Sequence, residues 1–207
     1  MILYYLMTQS LRRLSRIEGL FSTFILCELV CIMALFICDI FLFFSHLLKE
    51  MNQSVAVETD PLEVQMSLGP IMGFTLFKYA SLFLAILMIL LTITTIKRSF
   101  KQYFILQHED FKIMSYLGET PGNLAMYYTF QVAFFALFVI TIAMIASQLI
   151  FFASVIKTIN LGVTLSDVQS FRINPIYLII LELMMLNYVF LTTFFSSKKK
   201  LYSLTSK

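Results

Sequence analysis

Tryptophan is absent from this 207-residue chain, and histidine occurs only at His46 and His108. The topology derived below puts those two on opposite sides of a membrane, so they share no ligand. No helix carries two histidines for zinc. The six glycines form neither a Walker A sequence nor a glycine-rich phosphate cradle. No serine, histidine and acid have a plausible shared location, so the chain is not expected to be an enzyme in its own right. The three cysteines, Cys27, Cys31 and Cys38, fall on one helical face at about 100° per residue. A soft-metal path is one reading of that face, and small residues packing between helices is the other. No Met or His stands beside them in a ligand pattern, so packing is favoured and no metal site is expected. Without tryptophan, an interfacial belt falls to Tyr and Phe, with Tyr4, Tyr5, Tyr103, Tyr127 and Tyr128 placed for the inner face.

Charge is also scarce. Only 13% of residues are charged while 59% are hydrophobic, more apolar surface than a soluble domain of this length covers. Four runs reach the 20 or so apolar residues that cross a bilayer: 20–48, 74–96, 125–156 and 175–195. Backbone amides in lipid need partners within their own segment, so each run is expected to be a helix. A closed β-barrel is excluded because the runs do not alternate with period two. The expected fold is therefore all-α, a single four-helix transmembrane domain over 1–207.

The opening apolar stretch, 1–7, is short and precedes the basic cluster, unlike a cleaved signal peptide. Within 1–19, Leu11, Leu14 and Ile17 oppose Arg12, Arg13 and Arg16, the pattern of an interfacial helix. Eleven of the fifteen Lys and Arg residues fall before the first run, between the second and third, or after the fourth. The excess of basic residues on that side places both termini and the 97–124 connector in the cytoplasm. The net charge of +3 is explained by that border beside anionic lipid, and no nucleic-acid partner is expected. The outer segments, 49–73 with Pro61 and Pro70 as breakers and 157–174, are expected to be short loops, and 196–207 a basic tail.

Four charged residues lie inside the runs: Glu28, Asp39, Lys78 and Glu182. A charge at the bilayer centre costs about 2.5–3.5 kcal/mol on insertion scales, so such groups face partners or water. Glu28 and Asp39 are three turns apart on one face. By depth, Asp39 and Lys78 are expected to pair. Glu28 has no evident cation unless Arg16 or a second subunit supplies one. The four either line a gate between helices or fix helix register.

The connector 97–124 is the one substantial polar segment between greasy ones. Phe100, Phe104, Phe111, Met114 and Leu117 recur at near-helical spacing. Gly118 stands where a helix ends in the left-handed conformation, Thr120 reads as an N-cap, and Pro121 as the first residue of the next helix. An amphipathic helix, a tight stop and a new helix are expected. If the second run continues unbroken to Leu117, it forms a rod of roughly 66 Å. The apolar stripe either enters a groove on a soluble partner or lies flat on the membrane.

The sequence Asp110-Phe111-Lys112-Ile113-Met114-Ser115-Tyr116-Leu117-Gly118-Glu119-Thr120-Pro121-Gly122-Asn123-Leu124, together with the order of spans, resembles the FtsX/MacB-like four-span (type VII) permeases of ABC transporters. The matching positions are Asp110, Ile113 and Met114, Leu117-Gly118, and the small polar stretch that precedes the third span. In place of the family's folded external domain the chain carries only 49–73, and in place of its Pro- and Arg-containing end, Ser196-Ser197-Lys198-Lys199-Lys200. The resemblance implies two permease chains, identical or homologous, on two cytosolic P-loop ATP-binding subunits in a bacterial plasma membrane. ATP and Mg would be bound by those subunits, with no cofactor on this chain. Asp110, Phe111, Ile113, Met114, Leu117 and Gly118 would form the coupling contact.

Two functions of different class follow. The first is a permease that exports or extracts an amphiphile from the membrane, such as an antimicrobial peptide or a lipid-like molecule. The second is a non-transporting relay or anchor that passes ATPase motion to an envelope protein, which needs a receiving surface outside.

Overall fold

The computed structural model describes residues 20–57, 61–106, 108–160 and 175–205, and all of these are helical except 117–120. Five helices follow in order: α1 (Leu20–Val57), α2 (Pro61–Leu106), α3 (His108–Tyr116), α4 (Pro121–Asn160) and α5 (Pro175–Thr205). The fold is all-α. Four helices are long and apolar enough to cross a membrane, over Phe21–Gln53, Gly69–Lys101, Pro121–Lys157 and Ile176–Leu201. Only 22–39% of each apolar window is buried within the chain. Phe21, Leu29, Met72, Phe83, Leu149 and Met184 are each more than half exposed, an apolar surface that lipid covers and water does not. This is the pattern of a multi-pass membrane protein.

The expected 49–73 loop is largely helix. α1 continues to Val57, α2 begins at Pro61, and Pro70 lies inside α2. Proline at the first helical position lacks only an N–H that would be unpaired there anyway. Gly69 before Pro70 has no side chain to clash with the ring, which removes part of the steric reason for a helix to stop there. The expected basic tail is also helical, through Thr205, and Ser197 and Leu201 within it are buried. The proposed interfacial helix over 1–19 and the connection 161–174 lie outside the described residues.

The chain divides into two compact units. The first comprises Met1–Leu29, Leu91–Ile142 and Ile176–Lys207. Its core is aromatic: Phe135 meets Phe24 and Phe100 edge-on with ring centres 6.1 and 4.9 Å apart, and Phe130 meets Phe190 at 5.9 Å. Alanines at 125 and 136 are fully buried and let the rings close in. Tyr127 and Tyr128 belong to this core, not to an interfacial belt as the sequence implied, because both are buried.

The second unit comprises Val30–Leu90 and Ala143–Pro175. Phe151 takes Phe36 and Phe43 at 6.3 and 6.0 Å, and Phe44 stacks on Phe77 at 5.7 Å. Cys31, Ala34, Ala143 and Ser147 are fully buried small residues on α1 and α4.

Candidate functional site

The connector is built in three steps. α2 is described to Leu106 and α3 covers the nine residues His108–Tyr116; Gln107, on which an unbroken rod to Leu117 depends, lies outside the described residues. α3 closes with Leu117 N–H donating to the Ile113 carbonyl at 3.0 Å and Glu119 N–H to the Met114 carbonyl at 3.2 Å. Gly118 takes φ = 94° between them, a left-handed conformation that disfavours a side chain. The Thr120 hydroxyl then accepts from the Asn123 N–H at 3.3 Å and caps α4, with Pro121 at the first position. Asn123 Nδ2 donates to Glu119 Oε2 at 3.3 Å, tying the turn to the cap.

The apolar stripe of this segment does not act as one surface. Phe100, Phe104 and Phe111 turn inward: Phe111 is 1% exposed and touches Phe104 at 5.4 Å and Tyr128 at 6.2 Å between ring centres. Tyr128 donates its hydroxyl to the Phe100 carbonyl at 2.6 Å, which satisfies that buried hydroxyl. Ile113 at 57%, Tyr116 at 81% and Leu117 at 81% exposure turn outward, and Met114 is half-buried. Phe111 is therefore the fastening of α3 and is withdrawn from any partner groove. The free apolar tip is Ile113, Tyr116 and Leu117, flanked by exposed Glu109, Lys112 and Glu119. Tyr116 was not among the contact residues expected from sequence. The side chain of Asp110 lies outside the described residues.

The intramembrane charges divide differently from the expected pairing. Asp39 is fully buried and accepts from Ser147 Oγ and Gln148 Nε2, each at 2.9 Å. Among the described residues Lys78 makes no ion pair with it, so the expected Asp39–Lys78 bridge is replaced by a neutral clamp from α4. A carboxylate held by two neutral donors avoids desolvating a second charge. Glu182 accepts from Thr141 Oγ1 at 2.7 Å, binding α5 to α4. Glu28 lies in the first unit, and both oxygens of its carboxylate are buried without a hydrogen-bond partner among the described residues. Asp39 and Glu182 are helix fasteners, and Glu28 stands apart.

Ser147, Gln148 and Thr141 were missed from sequence. The available signal was the adjacent polar pair Ser147-Gln148 in an otherwise apolar run, since buried polar groups in lipid need partners. Cys27 and Cys31 are buried in the packing of α1 and Cys38 is half-buried.

No protein-family model, curated protein or solved structure matches this chain.

Proposed function

We propose that this chain is the membrane subunit of an ATP-driven complex, with α3 receiving the motion of a cytosolic P-loop ATPase. The observation that carries the reading is the division of labour on α3. Phe111 fastens the helix to the membrane domain while Ile113, Tyr116 and Leu117 offer an apolar tip among charges. Such a tip fits a groove on a water-soluble partner better than it fits lipid alone, because charged residues surround it closely. Rigid fastening would pass a push on the tip into α2 and α4. Likeness of the connector sequence to FtsX/MacB-like permeases supports the same reading.

In this reading both termini and the connector are cytoplasmic, two permease chains sit on two ATP-binding subunits, and the substrate is an amphiphile taken from the membrane. An apolar surface that is largely uncovered along every span suits a substrate approaching through lipid. The test is affinity purification of the full chain from its native membranes, followed by assay of ATP hydrolysis. A P-loop ATPase is expected with the unaltered chain and lost with Leu117→Asp. Its retention after that change removes the coupling role.

A further inference from the structure

At the end of α2 and α5 in the first unit is a cavity of about 180 Å³ whose wall, among the described residues, includes Lys97, Lys101 and Lys200 and no acidic residue. That volume is an order of magnitude above the roughly 10–15 Å³ that admits one water. Two of the three ammonium groups are held over aromatic rings. Lys97 Nζ lies 5.3 Å from the Tyr188 ring centre, and Lys200 Nζ 5.2 Å from that of Phe104. These contacts fix the long side chains at the cavity, so little freedom remains to be lost when a ligand binds. Like charges gathered around one space repel, and an anion placed among them relieves the repulsion.

A second observation points to the same ligand. Thr193 also lines the cavity; it is 8% exposed, and its hydroxyl is buried with no hydrogen-bond partner among the described residues. A buried hydroxyl without a partner is unfavourable, and an acceptor oxygen in the cavity would satisfy it. Of the other wall hydroxyls, Thr192 and Ser197 donate to carbonyls of their own helix, and Tyr128 to Phe100. Three lysines and the unpartnered Thr193 hydroxyl thus line the cavity, a set suited to phosphate oxygens.

Depth identifies the source. The apolar segments of α2 and α5 end at Lys101 and Leu201, so the cavity lies where the hydrocarbon gives way to headgroups. The neighbouring Leu191 and Phe195 are exposed and apolar, a surface for acyl chains. We propose that this cavity is a phosphate-binding site occupied by the headgroup of an anionic phospholipid. The assignment is independent of whether an ATPase docks on α3.

The test uses the full chain in phosphatidylcholine nanodiscs with and without phosphatidylglycerol, with retained lipid counted by native mass spectrometry. A parallel arm titrates inorganic phosphate in detergent. Phosphatidylglycerol is expected to be retained, and K97Q/K101Q/K200Q to weaken retention by about tenfold or more. The control K112Q/K198Q/K199Q removes the same charge outside the cavity and is expected to retain lipid. Thr193→Val is expected to weaken retention about threefold to tenfold without loss of thermal stability, because it also removes the orphan hydroxyl. If inorganic phosphate binds with the same lysine dependence and displaces the lipid, the phosphate site stands and its occupant is soluble. Equal retention by the two triple variants, or binding of neither probe, overturns the proposal.

Discussion

The ring of Phe111 meets the ring of Tyr128 edge-on, at 87° and 6.2 Å between centres. Through this contact the short α3 is fastened to the buried face of α4, in an aromatic cluster completed by Phe104. The same contact divides the connector's apolar residues into those that hold it and those that remain free.

Removing the fastening should release the helix without unfolding the spans. Truncating a buried Phe costs about 3–5 kcal/mol where the site cannot collapse. For Phe111→Ala the loss should fall on α3, and hydrogen exchange at the amides of 111–116 should accelerate strongly. Exchange in the spans should change little. Tyr128→Phe keeps both rings and removes only the hydrogen bond to Phe100, so about 0.5–1.5 kcal/mol is expected, with α3 still protected. Unchanged exchange at α3 in Phe111→Ala would show that the ring does not hold it.

The free tip should behave in the opposite way. Leu117→Asp and Tyr116→Asp place charge on exposed positions, where stability changes stay within about 0.5 kcal/mol. Both are expected to abolish association with the proposed ATPase while the melting temperature in detergent is preserved. Loss of binding together with loss of stability would assign these residues to the fold.

Gly118 is a sharper test of local geometry. Nothing lies within 4 Å of a Cβ added there, so only the backbone at φ = 94° opposes a side chain. Gly118→Ala should destabilise the turn by about 1–2 kcal/mol, the penalty of a left-handed L-residue. Gly122→Ala, also in open space but within a helix, should be neutral or slightly stabilising. The pair is read by differential exchange at the α4 N-terminus.

Double-mutant cycles separate the two candidate partners of Asp39. The cycle of Asp39→Ala with Ser147→Ala should show coupling of about 0.6 kcal/mol and up to 1.7, the range for hydrogen bonds between membrane helices. The cycle of Asp39→Ala with Lys78→Ala should be additive within about 0.3–0.5 kcal/mol, as for residues that share no contact. Coupling in the second cycle and none in the first would restore the ion pair.

Spans, caps and turn were legible in the sequence because each rests on a local rule. Apolar length gives the helices, and the stop at Gly118 and the restart at Thr120-Pro121 follow from backbone preference alone. The length of α1 and α2 was not legible, since Pro61 and Pro70 read as breakers although one tolerates a helix start and the other follows a glycine. Nor was the partner of Asp39. Charge and depth favoured Lys78, but the choice between a cation and two neutral donors depends on which helix packs alongside, a non-local fact. The same holds for Phe111, whose periodic spacing placed it in a stripe but could not say that Tyr128 covers it.

Orientation is tested last, because the docking of α3 depends on it. Gln53 ends the first span, Leu117 lies in the connector between the second and third, and both are exposed, so single cysteines are placed there in a chain with Cys27, Cys31 and Cys38 replaced by alanine. The bias of basic residues puts Leu117 inside and Gln53 outside. A membrane-impermeant maleimide added to intact cells should label Gln53→Cys and leave Leu117→Cys unmodified until the membrane is permeabilised. The reverse labelling would place α3 outside, where no ATP-driven motor is present, and would end the coupling proposal. The phosphate site would survive that result, because both leaflets present headgroups at the depth of Lys101 and Lys200.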